Sequence, residues 1–156
     1  MATYSGTAAP VEFRPSTPTA TGYNVPLAPQ CGGGTMVYNL TVDVTIAEIN
    51  ALHVLVATPV NRQFRLVNVT AIAYGGAVTG LTTLDLTCGA NTLVSYAQAN
   101  LTQSLPLRIG DGGVTILADG ASFTAQTADN DLIVTKTGGS AATATGVRFI
   151  LEYALD

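Results

Sequence analysis

The strongest constraint on this chain is an alternation of apolar and polar residues that begins at Val37 and returns in short runs to the end of the sequence. In the first run, Leu40, Val42 and Val44 alternate with threonine and aspartate. Successive side chains of a strand point to opposite faces of a sheet, so this pattern predicts a strand with one buried face. The last run is the clearest, and its apolar residues of one parity are Val147, Phe149, Leu151, Tyr153 and Leu155.

Glycine-rich stretches divide the rest of the chain into further predicted strands. Their predicted ranges are 53–57, 62–74, 84–88, 92–98, 104–109, 114–118, 121–127 and 131–137. Pairs such as Gly75-Gly76 and Gly138-Gly139 are predicted as turns. Eight to ten strands at even spacing, with almost no helix, predict an all-β fold consisting of a single β-sandwich or jelly-roll-like domain.

The predicted strand 62–74 is apolar on both faces, which is typical of a central strand. The two predicted faces are Phe64, Leu66 and Ile72 on one side, and Val67, Val69 and Ala71 on the other.

One short helix is expected near residues 46–52. Thr45 and Glu48 have the spacing of a capping box, in which each side chain bonds the backbone N–H of the other residue. No other helix longer than a turn is expected.

Residues 1–35 differ from the rest of the chain. They contain five of the seven prolines and end in Cys31-Gly32-Gly33-Gly34, and no helical or strand periodicity runs through them. This composition predicts an extended arm, followed by a β-sandwich domain over residues 36–156. A disordered tail is the alternative. The arm nonetheless carries apolar side chains, so we expect it to bind a partner through Phe13, Tyr23, Val25 and Leu27.

The composition limits the classes of partner. Hydrophobic residues make up 47% of the 156 residues and charged residues only 10%, against about a quarter in an average protein. So few charges fit either a stable β-protein with a threonine-coated surface or a surface that partners cover. A net charge of −4 and only six lysines and arginines disfavour nucleic-acid binding, and no segment has the length of a membrane span. The first residues lack the features of a secretory signal, so we expect synthesis in a cytoplasm.

No motif of a known catalytic class is found in the sequence, so the protein is not expected to be an enzyme or to need a cofactor. His53 is the only histidine, and it is expected at a strand end rather than in a catalytic role. Cys31 and Cys88 are expected to be free thiols. Two carboxylate clusters are candidate calcium ligands: the segment 129–131, and Asp111 with Asp119. Neither has the spacing of a known calcium site, and no bound metal is expected.

Several short motifs resemble a group of small proteins encoded among the head genes of tailed bacteriophages. The segment Thr45-Ile46-Ala47-Glu48-Ile49-Asn50-Ala51-Leu52 is similar to a T-x-A-E-I-x-A-L turn in that group, and Thr58-Pro59-Val60 follows at a similar place. The resemblance continues through Tyr74-Gly75-Gly76, Leu84-Asp85-Leu86 and the aromatic terminal run, and covers residues 40–156. Residues 1–35 have no counterpart in it.

The resemblance implies a capsid decoration, or cement, protein. Such proteins bind the outer surface of the shell as trimers and reinforce it. The expected partners are therefore the major capsid protein and two further copies of this chain, at the capsid exterior of a virion. The alternative is a tail-fibre, head-fibre or baseplate β-module that binds a host-surface glycan, although the absence of tryptophan disfavours sugar stacking. A β-sandwich hydrolase or isomerase has no support in the residues.

Overall fold

The structure is a computed structural model that describes residues 36–156. These residues form nine strands: β1 (Val37–Thr45), β2 (His53–Val56), β3 (Phe64–Tyr74), β4 (Thr79–Cys88), β5 (Asn91–Ala97), β6 (Pro106–Arg108), β7 (Val114–Ile116), β8 (Leu132–Ala142) and β9 (Gly146–Leu155). A single α-helix in this part of the chain, α1 (Ile46–Asn50), links β1 to β2. Two 3₁₀ segments cover Gln98–Asn100 and Ala118–Phe123. The predicted all-β class, strand number and short helix are confirmed.

The strands form two antiparallel sheets with the orders β1-β9-β3-β6 and β2-β8-β4-β5-β7. Most connections cross from one sheet to the other, and β4–β5 is a hairpin within one sheet. If β7 is set aside as an added edge strand, the first, last, third and sixth strands form one sheet. The second, seventh, fourth and fifth form the other. This is the strand order of a jelly roll, in which two four-stranded sheets pack face to face.

The core lies between the two inner faces and is aliphatic with a few large aromatic rings. Residue parity decides which side chains reach it: in β9, Val147, Phe149 and Leu151 are fully buried, whereas Arg148 and Ile150 between them are exposed. From the facing sheet, Leu84, Leu86 and Tyr96 are fully buried as well. In β9 and β4, the alternation that predicted the strand therefore also assigned its buried face.

The predicted division of β3 into two faces is wrong in one respect. The strand does lie between β9 and β6, as expected of a central strand, but the pairing shifts at a bulge between Leu66 and Asn68. One extra residue in a strand reverses the parity of all that follow. Leu66 and Val69 therefore share the buried face, and Ile72 lies on the outer one.

Two local predictions are overturned by backbone conformation. Gly138, predicted in a turn, lies inside β8 between two register shifts, where its φ of +80° accommodates a bulge. The predicted strand 121–127 does not form. Asp119 and Gly120 both have positive φ, which breaks an extended path, and the buried Ser122 hydroxyl donates to the Leu93 carbonyl at 2.6 Å and holds a 3₁₀ segment there.

Candidate interaction surface at the open sheet edge

Strand β1 is a long edge of the four-stranded sheet. It pairs with β9 over all nine of its residues, from Val37 opposite Ala154 to Thr45 opposite Gly146, with no bulge. On its other side, no strand from residues 36–156 is hydrogen-bonded to it. An edge strand presents a row of backbone N–H and C=O groups that another strand can pair with.

The register identifies which backbone groups of β1 face outward. Just beyond the strand, Ile46 N–H donates to the Thr145 carbonyl at 3.1 Å, in the same register as the β1–β9 ladder. Backbone groups of a strand alternate in direction, so the even-numbered residues of β1 bond β9. The outward N–H and C=O groups then belong to Val37, Asn39, Thr41 and Asp43, and we refer to them as the open edge.

The helix cap closes this edge at its C-terminal end. Thr45 N–H, the next outward donor, donates to Glu48 Oε2 at 2.8 Å, and Glu48 N–H donates to Thr45 Oγ1 at 3.3 Å. The predicted capping box is therefore confirmed. The bond from the Thr45 backbone is the main reason why the pKa of Glu48 is lowered. His53 lies beside this cap, with Nδ1 3.8 Å from Glu48 Oε1.

An ion pair lies on the outer face at the same end of β1. Arg148 on β9 donates to both carboxylate oxygens of Asp43, at 2.6 and 2.7 Å. These hydrogen bonds lower the pKa of Asp43 and raise that of Arg148. Both side chains are about half exposed, so the pair orients β1 on β9 more than it stabilises the fold.

The N-terminal end of β1 is apolar and exposed. Met36, Val37 and Tyr38 are 47, 48 and 40% exposed. The Tyr38 ring stacks on Tyr153 at a centroid distance of 5.4 Å, and Tyr153 stacks on the fully buried Phe64 at 5.6 Å. Partial burial raises the pKa of Tyr153. The three rings thus extend from the core to the surface at the start of β1.

Hydrogen bonds to the last residue fix the end of β9 next to this aromatic row. Gln63 N–H donates to the Asp156 carbonyl at 3.0 Å, and Asp156 N–H donates to the Gln63 carbonyl at 2.9 Å. Arg62 donates from its guanidinium to the carbonyls of Leu155 and Asp156, and Arg65 donates to the Asp156 carboxylate at 3.0 Å. Two of the few cationic side chains are therefore engaged in structural contacts.

Three of the carboxylates considered above as calcium ligands accept hydrogen bonds from backbone N–H groups. Asp131 accepts from Thr58 N–H at 2.7 Å, Asp129 accepts from Asn61 N–H, and Asp111 accepts from Arg108 N–H at 2.7 Å. No group of His, Cys, Asp or Glu side chains that could hold a metal ion is found among residues 36–156. Asp129 and Asp131 connect loops at the end of the sandwich where β1 begins, whereas Asp111 closes a turn that follows β6.

The most buried carboxylate, Asp85, lies on the outer face of the five-stranded sheet and is only 5% exposed. It accepts hydrogen bonds from the hydroxyls of Ser95 and Thr83, and the Thr83 hydroxyl is also 2.6 Å from that of Thr137. These hydroxyls satisfy the carboxylate from within the sheet. The network therefore joins strands β4, β5 and β8.

Burial raises the pKa values of two other side chains in the same sheet, Cys88 and Tyr96. Cys88 is a free thiol, as predicted, and burial raises its pKa to about 11, so it carries little of the reactive thiolate at neutral pH. The hydroxyl of Tyr96 is buried and has no hydrogen-bond partner among the described residues. Burial also raises the pKa of Tyr96.

The residues predicted to contact a partner, Phe13, Tyr23, Val25 and Leu27, lie outside the described residues, as does Cys31. What sequence reasoning missed is the open edge itself, with Tyr38 at its start. The first predicted strand contains no lysine, proline or glycine, which are residues that commonly interrupt an edge, but the sequence alone does not show that this strand lies at one.

Among residues 36–156, no helix is both long and apolar enough to span a membrane. Comparison with protein-family models, with curated proteins and with solved structures finds no match to this chain.

Proposed function

We propose that this protein is a structural component of a tailed-phage virion, which binds the outer surface of the capsid as a trimer and stabilises the shell. The observation that carries the proposal is the open edge of β1. It runs on from an arm of 35 residues that contains Phe13, Tyr23, Val25 and Leu27. A long, uninterrupted edge is an aggregation hazard in a monomer and an asset in a protein that assembles.

The charge distribution is consistent with a site outside the shell rather than against packaged DNA. Arg62 and Arg65 bond Asp156, and Arg148 pairs with Asp43. Lys136 donates to the Gly139 carbonyl at 3.0 Å. DNA binding requires cationic side chains that are free to neutralise phosphates, and these four are held by contacts within the chain.

The polar side chains also favour a structural role over a catalytic one. Asp85 is satisfied by hydroxyls of its own sheet, and Asp111, Asp129 and Asp131 each accept from a backbone N–H. Together with the resemblance to phage head proteins, these contacts support the proposed role in assembly.

The experiment that tests this proposal compares capsids with and without the protein. Mature, expanded capsids that lack it should bind the full-length chain and lose their contents at a higher temperature afterwards, whereas the compact precursor should bind less. A variant that begins at Val37 should fold, as judged by circular dichroism, and should bind the same capsids much more weakly.

Capsids that are equally stable with and without the protein would overturn the proposal. They would favour the fibre or baseplate module, which a glycan-binding screen with the full-length chain would then examine. Equal binding by the two chain lengths would instead remove the arm from the proposed interface.

A further inference from the structure

The open edge has an apolar row beside it that the sandwich leaves partly uncovered. The core-facing side chains of β1 become more exposed towards its start: Val44 is buried, Val42 and Leu40 are half-buried, and Tyr38 is exposed. The corresponding edge of the other sheet is β2, which has only four residues against nine in β1. A further strand beside β1 would cover this row and also satisfy the open edge.

We propose that this strand is residues 23–27 of a neighbouring copy of the chain, added parallel to β1. No periodicity runs through the whole arm, but Tyr23-Asn24-Val25-Pro26-Leu27 alternates locally. The same pattern occurs in β1 as Tyr38-Asn39-Leu40-Thr41-Val42, with tyrosine and asparagine followed by two aliphatic residues at alternate positions. The segment therefore has the apolar face that the uncovered row requires.

Pro26 determines the direction of the added strand. In an antiparallel pair, the residue opposite Thr41 must donate its N–H across the edge, and both side chains share the polar outer face. If Tyr23, Val25 and Leu27 face the core, Asn24 and Pro26 both lie opposite outward-facing residues of β1. Each would have to donate its N–H across the edge, and proline has no N–H. In a parallel pair, the residues whose backbone groups point across the edge are Tyr23, Val25 and Leu27. Pro26 points away, so its missing N–H is not needed.

The number of residues between Leu27 and Val37 determines whether the same chain or a neighbouring copy supplies the strand. A parallel neighbour within one chain needs a crossover of about a dozen residues or more. Only residues 28–36 separate Leu27 from Val37, and they would have to return along the full length of the added strand. A neighbouring copy has no such restriction, so the strand is exchanged between chains.

In the aligned register, Asn24 lies opposite Asn39 and Pro26 opposite Thr41. Asn39 N–H then donates to the Tyr23 carbonyl, and Val25 N–H donates to the Asn39 carbonyl. Thr41 N–H donates to the Val25 carbonyl, and Leu27 N–H donates to the Thr41 carbonyl. Donor and acceptor surfaces differ, so the contact is heterologous and closes into a ring when the rotation permits, as in a trimer.

The test uses purified full-length protein without capsids, so its failure is distinct from failure of the proposed function. Two variants with one introduced cysteine each, Asn24→Cys and Asn39→Cys, are made in a Cys31→Ser background, where the remaining Cys88 is buried and reacts slowly. They are co-expressed, one with an affinity tag, and treated with a short bismaleimide. The matched control replaces Asn39→Cys with Asp43→Cys, four residues further along the same edge.

We expect covalent dimers that link position 24 of one chain to position 39 of another. The yield should be roughly tenfold above that of the control, since four residues displace the acceptor thiol by about 13 Å. A yield that favours position 43 would overturn the parallel register. Absence of linkage between the two chains at about 100 μM protein would overturn both the exchange and the acceptor edge.

A second pair of variants tests the hydrogen bonds without chemical reagents. Leu27→Pro removes an N–H that the proposal directs at Thr41, whereas Asn24→Pro removes one that points away. Sedimentation should show that Leu27→Pro shifts the full-length chain to monomer, while Asn24→Pro leaves the oligomer intact. Equal behaviour of the two variants would contradict the proposed pairing.

Discussion

The edges of the two sheets in residues 36–156 fall into two kinds. Strands β2, β6 and β7 have only three or four residues; β2 is interrupted by a register shift and β6 begins with Pro106. Strand β1 has nine residues, no bulge and no proline. Short or interrupted edges protect a protein against unwanted pairing. Three edges are therefore protected, and the fourth is the one on which the proposed assembly depends.

The two halves of β1 differ in the same way. Towards its C-terminal end, Val44 is buried, Asp43 is paired with Arg148 and the Thr45 N–H is capped by Glu48. Towards its start, Met36, Val37 and Tyr38 are exposed and apolar. The closed half attaches the strand to the domain, and the open half is the part that a partner would cover.

The largest effect on stability is expected from proline substitutions, each of which removes an N–H from one side of β1. Val42→Pro removes an N–H from the ladder to β9 and should lower the free energy of unfolding by about 3 kcal/mol or more. Thr41→Pro removes an outward N–H and should lower the free energy of unfolding of the monomeric chain, in which that edge is free, by about 1 kcal/mol or less. Urea unfolding of the two variants measures the difference.

Similar losses for the two variants would show that both sides of β1 are hydrogen-bonded within the chain. The same pair tests the exchange of strands, because Thr41→Pro should weaken self-association even though its fold is retained.

The sequence predicted correctly the strands in which one face is apolar and the other polar, because alternation is a local signal. The runs that became β1 and β9 were correct in both position and buried parity. It failed where a single residue changes the parity, as at the β3 bulge, or where glycine relieves a bulge inside a strand, as at Gly138. Both features depend on the partner strand, which a local pattern does not include.

The candidate surface was harder to predict than the fold. Tyr38 and Tyr153 are 115 positions apart and become neighbours only through the β1–β9 pairing. Whether a strand lies at an edge is a property of sheet order, and the first strand of a jelly roll is an edge because the last strand pairs with it on one side only. The capping box, in contrast, was predicted in full, since both of its residues lie within one turn.

A smaller effect of opposite sign is expected in the five-stranded sheet, at the buried hydroxyl of Tyr96. An unpaired buried hydroxyl costs about 1–3 kcal/mol, and phenylalanine fills the same space without it. Tyr96→Phe should therefore raise the free energy of unfolding by about 1 kcal/mol. Tyr38→Phe is the matched control at the exposed edge and should change little. A destabilised Tyr96→Phe variant in the same urea titration would mean that the hydroxyl has a partner.

The smallest expected effect is an acid sensitivity confined to the closed half of β1. The pKa values of Glu48 and Asp43 are lower in the folded protein than their ordinary values of 4.5 and 3.8, through hydrogen bonds from Thr45 and Arg148 respectively. Their contribution to stability is therefore complete above those ordinary values, and it is lost as the pH falls through the lower folded-state values. Both carboxylates are exposed, so the effect is small.

The variant that isolates this effect is Asp43→Asn with Glu48→Gln, because glutamine still accepts the capping bond. Thermal unfolding of both proteins between pH 7 and pH 3 should show the original chain more stable at neutral pH, with a gap that narrows below about pH 4.5. If the difference in unfolding temperature stays constant with pH, it comes from packing rather than from charge. Cross-linking from position 24 to position 39 should be equally efficient in both proteins at neutral pH, since Asp43 and Glu48 both lie at the other end of β1 from Asn39.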